Sequence, residues 1–399
     1  MSVVEQLSRA PMPSQDALLA RAEKMIPALA AGAAATEARR MLSKSTMDML
    51  FEAGFLRIFQ PSRFGGYEMD WGTQTRVGSL LARGCASAAW ITCVVGSHAA
   101  YVGRMSPKAQ EEVWGDGGDI LIATGSVPRG VTIRKVDGGY ELNGKWSFLS
   151  GIDHASWCVT RGFPDGNESG PQYYFLYPRS AFAIEDDWYV SGMRGTGSKS
   201  VVVDRLFVPE HRAIALTTLM SPNPPGAEIN RGYVYRYNFR AFAGTAMLGP
   251  IMGAAEAAFA SYIASLKRGE FGNLDPEDTS VQLLIAEADA EISAARLLLD
   301  SLVDKQHTYG SSGKAFAMPD RLALIRDRTY AARLFHNAVD RLVRSLDCRT
   351  IFDEHPIHRH HRDLAGMVQQ IGINWDRNMS NCGRKLVGLP TEIPFLNKM

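Results

Sequence analysis

A histidine that follows an apolar stretch is the first residue of this sequence whose type suggests catalysis. His98 comes two residues after the apolar run 88–96, and Trp90 lies eight residues before it. Eight residues are about two turns of an α-helix, so a helical segment would turn both side chains inward along one face. Imidazole titrates near neutral pH and can act as an acid or a base. A buried histidine that only stabilises the core is the alternative.

The segment 144–155, GKWSFLSGIDHA, combines aromatic and hydroxyl side chains. We expect a glycine-flanked loop at the edge of a β domain, carrying Trp146, Phe148 and Ser150. Such a loop can hold a planar ring by stacking while a hydroxyl group hydrogen-bonds one of the ring nitrogens. A polar turn that binds nothing is the alternative.

Other chemical motifs are missing or incomplete. Residues 355–363 contain four histidines, but Pro356 and the interleaved arginines disfavour a closed cation site, so we expect a loop before the last helix and no metal. A nicotinamide domain needs a GxGxxG turn between a strand and a helix. The nearest segment, 195–200, has serine in place of the third glycine and precedes a strand. No GxSxG nucleophile motif occurs.

Three regions of different periodicity must position these residues. Over residues 15–113 the apolar residues recur every three or four positions, which predicts helices interrupted at Gly54 and by a loop over 60–70. From residue 120 short β-rich runs alternate with turns, which predicts a barrel or sandwich. The expected strands are 120–126, 132–136, 140–142, 157–161, 173–178 and 201–208.

After Phe239 the helical period returns and predicts a bundle of four long helices. The expected helices are 241–267, 279–307, 319–346 and 362–386. The sequence therefore predicts an α+β multidomain chain. Its domains are an N-terminal helical domain (1–118), a β domain (119–220) and a C-terminal four-helix bundle (221–399).

The charge balance and the distribution of apolar residues argue against nucleic acids and membranes as partners. The 43 Lys+Arg and 42 Asp+Glu give a net charge of +1, without the basic excess that nucleic-acid binding requires. No apolar run approaches the roughly 20 residues that span a membrane, and no export signal begins the chain, so we expect a cytoplasmic protein. The five cysteines form no CxxC pair and are expected to be buried, reduced residues: Cys85, Cys93, Cys158, Cys348 and Cys382.

Three segments carry a family resemblance. They are AGFLRIFQPSRFGGYEMD (53–70), VDGGYELNGKW (136–146) and GMRGTGSKSVVVDRLFVPEHR (192–212). Together with the order of helices, strands and helices, they resemble the acyl-CoA dehydrogenase superfamily over residues 15–395. That resemblance implies the fold of the superfamily.

Within the superfamily, the glutamate of the dehydrogenases has no counterpart, since residues 240–248 hold no acid and the last helix shows none in the matching context. The pattern W-x-F-x-S-G, with a histidine after the A-W helix, resembles instead the group D flavin-dependent monooxygenases. These oxygenases of two-component systems include p-hydroxyphenylacetate hydroxylase and dibenzothiophene monooxygenase. The resemblance implies diffusible reduced FMN or FAD from a separate NAD(P)H:flavin reductase, with O2 as co-substrate. It also implies a C4a-hydroperoxyflavin that hydroxylates an aromatic or polycyclic, phenol- or indole-like molecule.

The resemblance also implies roles for individual residues. Ser150 would hydrogen-bond flavin N5, Trp90 would pack on the ring system, and Ser126 would lie close to the flavin or the substrate. His98 would act on the substrate hydroxyl or ring nitrogen as an acid or base. Trp146 and Phe148 would belong to the flavin-binding segment.

One position departs from the family pattern. Several members carry a histidine eight residues after the arginine that corresponds to Arg362, and here that residue is Gln370. Glutamine donates a hydrogen bond but cannot carry a proton. Either Gln370 only positions the oxygen, or the helix is shifted and Gln369 or Asn374 takes its place.

Several alternatives stay open at this stage. The chain could oxidise nitrogen or sulfur, desaturate an acyl thioester, or bind flavin without catalysis. The resemblance implies a homotetramer. An aromatic set is expected either to line a substrate pocket or to pack between subunits: Tyr233, Tyr235, Tyr237, Phe239 and Phe242.

Overall fold

The computed structural model describes residues 12–236, 239, 244–348, 352–353, 355–393 and 396–397. The N-terminal region is helical, as its periodicity predicts. Its α-helices are α1 (Gln15–Arg39), α2 (Lys44–Glu52), α3 (Trp71–Gly84), α4 (Ala86–Trp90), α5 (Ala99–Val102) and α6 (Pro107–Trp114). Four of them begin at side chains that accept a hydrogen bond from the backbone N–H three residues on: Ser14, Ser43, Asp70 and Ser106.

The chain between α4 and α5 is helical but not α-helical. Ile91–Val95 form a π-helical turn, and Gly96–His98 form a 3₁₀ turn. The expectation that Trp90 and His98 lie two α-helical turns apart on one face is therefore wrong, because the spacing of 3.6 residues per turn does not hold between them. Both side chains are nonetheless buried.

The central region forms two four-stranded sheets. The strands are β1 (Ile122–Gly125), β2 (Val127–Val136), β3 (Gly139–Leu149), β4 (Trp157–Gly162), β5 (Tyr173–Pro178), β6 (Ala183–Glu185), β7 (Lys199–Pro209) and β8 (Ala213–Ala215). One sheet has the order β1-β4-β5-β8 and the other β2-β3-β7-β6. The sequence missed β6 and β8, which have three residues each. The expectation of a loop that begins at residue 144 is wrong, because β3 continues to Leu149 through irregular pairing with β7.

The sheet β1-β4-β5-β8 lies between two hydrophobic cores. Alternate residues of its strands face opposite sides, so Ile122, Val159 and Leu176 pack with the helices. Their neighbours Ala123 and Cys158 pack with the second sheet. The helices before and after the β region share the first of these cores.

The C-terminal region is also helical. Its helices are α7 (Leu216–Leu219), α8 (Leu248–Lys267), α9 (Thr279–Ser312), α10 (Met318–Arg344), α11 (Pro356–Met367) and α12 (Trp375–Leu386). The expected helix 362–386 is wrong in one respect, because residues 368–374 break it into α11 and α12. The expected loop around the histidines of 355–363 is likewise wrong, since Pro356 opens α11 there.

The five cysteines do not share one environment. Cys85, Cys93, Cys158 and Cys382 are buried as expected, whereas Cys348 is exposed. The expectation of five buried cysteines is wrong at this one position. Within the part of the chain that the structure describes, no helix is both long and apolar enough to cross a membrane.

Two glycines let α8 lie directly against α3. A Cβ atom on Gly249 would lie 2.2 Å from the carbonyl oxygen of Thr75, and one on Gly253 would lie 1.9 Å from that of Ser79. Both obstacles are backbone atoms, which cannot rotate away as a side chain can. A methyl group at either position therefore requires the two helices to separate.

We predict that Gly253→Ala destabilises the protein by about 1–3 kcal/mol, the usual cost of overpacking a core. The matched control is Gly383→Ala in α12, where no atom lies within 4 Å of the added Cβ. Removing a flexible glycine from that helix is expected to be neutral or to stabilise by about 0.5–1 kcal/mol. Denaturant unfolding of both variants measures the difference, and equal stabilities contradict the close-packing argument.

Candidate functional site

Trp90 and Ser150 meet where the end of α4 approaches the turn after β3. The indole Nε1 of Trp90 donates a hydrogen bond of 3.3 Å to Ser150 Oγ. Gly151 holds the turn with φ +70°, and a Cβ on it would lie 3.0 Å from the side chain of Ile91. Trp90 is buried, whereas Ser150 is partly exposed and can reach a ligand. The structure thus brings together two residues that are 60 positions apart in sequence.

Two further hydroxyl groups continue from Ser150. Ser150 Oγ lies 2.7 Å from Ser198 Oγ, which lies 2.6 Å from Thr196 Oγ1. Thr196 Oγ1 in turn donates to the carbonyl oxygen of Met193 over 2.9 Å. Sequence reasoning missed Thr196 and Ser198, because it weighed residues 195–200 as an incomplete nucleotide motif and as part of the family resemblance, but assigned no role to their hydroxyl groups. The alternation of hydroxyl residues in that segment was the available signal.

The segment that carries these hydroxyls is held by α11. The amide N–H of Met193 donates to Asp363 Oδ1 over 2.6 Å. Burial raises the pKa of Asp363 to about 7, although the hydrogen bond from Met193 opposes the rise. A Cβ on Gly192 would lie 2.0 Å from the carbonyl oxygen of Arg362, so only glycine allows this approach.

His98 is held between α5 and strand β1. Its Nδ1 lies 2.8 Å from the carbonyl oxygen of Ile122, and its Nε2 lies 2.9 Å from Thr124 Oγ1. A carbonyl only accepts, so Nδ1 carries the proton of the neutral ring and Nε2 accepts from the Thr124 hydroxyl. Burial lowers the pKa of His98 to about 4. His98 is thus a neutral imidazole whose unprotonated nitrogen faces Thr124, a residue that sequence reasoning did not identify.

Aromatic rings extend from His98. The ring of Tyr101 stands edge-on to His98 with centroids 5.9 Å apart, and edge-on to Phe239 at 4.8 Å. Tyr174 of β5 lies 5.8 Å from Tyr101. Of the expected aromatic set, Phe239 therefore belongs to the surroundings of His98.

The other expected aromatic residues lie elsewhere. Tyr235 is fully buried and its hydroxyl donates to the carbonyl oxygen of Phe59 over 2.7 Å, which is a core contact. Tyr233 packs against α9. The remaining two lie outside the described residues: Tyr237 and Phe242.

The two aromatic side chains at the end of β3 differ in their surroundings. Trp146 is fully buried in the core of the β region, where its Nε1 donates to the carbonyl oxygen of Arg161. Phe148 is 54% exposed, with φ +67°, and stands edge-on to Trp188 at 6.0 Å. Only Phe148 of this pair presents a ring surface to a ligand.

Ser126 and Thr124 are separated by one residue at the end of β1. The strand ends at Gly125, so Ser126 is the first residue beyond it. Ser126 is exposed, and its carbonyl oxygen accepts from Arg161 Nε. The structure therefore places Ser126 at the open end of the strand that carries Thr124.

Gln370 lies in the break between α11 and α12 rather than on a helix. Its Oε1 accepts a hydrogen bond from the Gly372 amide, which leaves its amide hydrogens as donors. Asn374 caps α12 by accepting from the Arg377 amide over 3.1 Å, so its side-chain oxygen already has a partner. Gln369 is exposed.

Comparison with known proteins gives matches along nearly the whole chain. The family model "Acyl-CoA dehydrogenase, N-terminal domain" matches residues 12–116, and "Acyl-CoA dehydrogenase, C-terminal domain" matches residues 245–375. The oxygenase subunit HsaA of a flavin-dependent monooxygenase from Rhodococcus jostii is 33% identical over 87% of this chain and 92% of its own length. The oxygenase component of an FADH(2)-dependent resorcinol hydroxylase from a Rhizobium species is 28% identical over 97% of this chain and 98% of its own.

A solved structure extends the comparison to the fold. The 3-HSA hydroxylase from a Rhodococcus species superimposes with a TM-score of 0.89 at 31% identity. The match covers 96% of this chain and 100% of that one. The expected fold is thereby confirmed.

We predict that His98 makes stability depend on pH. The pKa of the imidazole is near 6.5 in the unfolded chain and about 4 in the folded protein, so only the unfolded chain binds the proton between these pH values. The contribution of neutral His98 is thus complete above pH 6.5 and is lost as the pH falls. Between pH 7 and 5, the parent is expected to lose about 2 kcal/mol more unfolding free energy than His98→Asn. Denaturant titrations at both pH values measure this, and parallel losses contradict it.

Proposed function

The chain belongs to the acyl-CoA dehydrogenase superfamily, among the oxygenase subunits of flavin-dependent monooxygenases, and we propose that it hydroxylates an aromatic or polycyclic, phenol- or indole-like small molecule with O2 and reduced FMN or FAD. The observation that supports this most directly is the Trp90–Ser150 hydrogen bond. A partly exposed hydroxyl is there held by a buried indole, on the same helical segment that carries neutral His98.

The residues of the site fit a flavin. Ser150 offers a hydroxyl for the ring nitrogen N5, Trp90 offers an apolar surface, and Phe148 offers an exposed ring. Trp146 does not contribute directly, since it is fully buried in the β core. When bound, reduced flavin activates O2 so that one oxygen atom is transferred to the substrate.

The proposed base is His98, acting through Thr124. Since Thr124 Oγ1 donates to His98 Nε2, the oxygen of Thr124 is free to accept from a substrate hydroxyl. The substrate proton then moves to Thr124 while the Thr124 proton moves to His98 Nε2. Loss of this proton makes a phenol ring more electron-rich at the positions that accept oxygen. Ser126, which is exposed just beyond the end of the same strand, is proposed to bind a second polar group of the substrate.

The aromatic surroundings of His98 are proposed to bind the substrate ring and exclude water. Tyr101 and Phe239 pack edge-to-face, which is a favoured aromatic geometry and presents apolar surface beside the imidazole. Gln370 is proposed to donate a hydrogen bond through its amide, because its oxygen is already bonded to the Gly372 amide. In this proposal Gln370 positions oxygen and carries no proton.

A separate reductase is proposed to supply the flavin, because the chain has no dinucleotide-binding turn. The purified chain is expected to oxidise no NADH alone. With a generic NADH:flavin reductase, it is expected to hydroxylate members of a panel of phenols, indoles and fused polycycles. Product identified by mass spectrometry with ¹⁸O from labelled O2 measures this. Efficient NADH oxidation without reductase, or no oxygen incorporation across the panel, contradicts the proposal.

Two variants in the same assay test the assigned roles. Ser150→Ala is expected to lower the product formed per O2 consumed and to raise hydrogen peroxide, because the contact to flavin N5 is lost. His98→Asn is expected to slow product formation by about 10²- to 10⁴-fold, since the substrate loses its base. His307→Asn, at an exposed histidine of α9, is the control and should match the parent. Parent rates and coupling in both site variants refute these roles.

We further propose a homotetramer with α9 at a subunit contact. Leu283 and Leu297 are 66% and 72% exposed on this helix. The exposed alanines between them follow a helical spacing that places them on the same face: Ala286, Ala290 and Ala294. Light scattering is expected to give four times the chain mass of 43.8 kDa. Leu283→Glu combined with Leu297→Glu should lower that mass, and an active 43.8 kDa parent chain rules the tetramer out.

A further inference from the structure

A row of hydrogen bonds leads from Trp90 through three hydroxyl groups to a carbonyl, and it is partly buried at Ser150 and fully buried at Thr196. Its members, in order, are Trp90 Nε1, Ser150 Oγ, Ser198 Oγ, Thr196 Oγ1 and the carbonyl oxygen of Met193. The successive distances are 3.3, 2.7, 2.6 and 2.9 Å. Both end groups have only one hydrogen-bonding role, since an indole N–H donates and a carbonyl accepts.

These end groups fix the direction of every hydrogen in the row. Thr196 has one hydroxyl hydrogen, and the carbonyl of Met193 takes it. Ser198 must therefore donate its hydrogen to Thr196, and Ser150 must donate its own to Ser198. Ser150 also accepts from the Trp90 indole. Ser150 Oγ can then accept one more hydrogen bond, but it has no hydrogen left to donate to a ligand.

Burial prevents the row from reversing. Thr196 is 2% exposed and Ser198 is 5% exposed, so bulk water does not compete for their hydroxyl groups. The Met193 carbonyl is itself fixed, because it also accepts from the Thr196 amide and from Trp188 Nε1. A reversed row would place two lone pairs against each other at 2.9 Å between Thr196 and Met193.

We propose that Thr196 and Ser198 are positioning residues that restrict Ser150 to accepting hydrogen bonds, and that this makes the site select reduced flavin over oxidised flavin. The inference rests on the proposed function, in which Ser150 meets flavin N5. In reduced flavin N5 carries a hydrogen and donates, whereas in oxidised flavin N5 has only a lone pair. A hydroxyl free to rotate would bind both forms, but a hydroxyl that only accepts binds one and repels the other.

The test measures flavin affinity rather than turnover. Dissociation constants of oxidised FMN and of dithionite-reduced FMN are measured anaerobically by calorimetry for the parent chain and its variants. In Ser198→Ala, Ser150 regains a free hydrogen and can donate to oxidised N5. The ratio of the oxidised to the reduced dissociation constant is expected to fall by about 10- to 100-fold. This factor corresponds to the free-energy difference between a formed hydrogen bond and a buried acceptor that has no donor. The reduction potential of bound FMN shifts accordingly.

Further variants distinguish this positioning role from a general loss of local structure. Thr196→Val also frees the row and should lower the ratio, whereas Thr196→Ser keeps the hydroxyl and should restore it. Ser147→Ala is the matched control, since the Ser147 hydroxyl is equally buried and pairs with Ser200 outside the row. Its ratio should equal that of the parent.

The outcomes that overturn the inference are distinct from failure of the proposed function. A parent chain that binds neither form of FMN or FAD contradicts the proposed function itself. A parent that binds both forms equally overturns the inference, even if every variant misfolds. A parent that prefers reduced FMN, with unchanged ratios in folded Ser198→Ala and Thr196→Val, also overturns it.

Discussion

The hydrogen bond from the Met193 amide to the buried carboxyl group of Asp363 joins the chain before β7 to the C-terminal helices. The same short segment approaches two other parts of the molecule. A Cβ on Gly195 would lie 2.4 Å from the side chain of Thr36 in α1, and the Thr196 carbonyl accepts from the Gly151 amide after β3. The candidate site depends on this segment, because it holds Ser198 within hydrogen-bond distance of Ser150.

The sheet that lies between the two cores gives the other half of the site its rigidity. Ile122 packs on the helical side, while its carbonyl oxygen binds the imidazole of His98. The strand that supports His98 thus cannot move without disturbing the core that the N-terminal and C-terminal helices share. His98, the proposed base, and Ser150, the proposed flavin contact, are both held by the helical segment that begins at Trp90, although they belong to separate secondary-structure elements.

The sequence predicted the order of helices, strands and helices because long periodic segments bury one face whatever their neighbours are. It did not predict β6 or the break at 368–374, since three residues carry no period and a break depends on the tertiary contacts around it. It singled out Trp90, His98 and Ser150 by residue type. It missed Thr124 and Ser198, because a hydroxyl gains a role only through a partner distant in the chain.

The burial of the cysteines determines how readily hydrogen peroxide formed at the site can oxidise them. Reduced flavin that meets O2 without a substrate yields hydrogen peroxide, and peroxide attacks thiolates far faster than thiols. Burial raises the pKa of Cys85 to about 11 and that of Cys158 to about 12, so both sulfurs stay protonated. Cys348, which is exposed, lies outside this protection. Among the five thiols, Cys348 is therefore the one that peroxide in solution reaches directly.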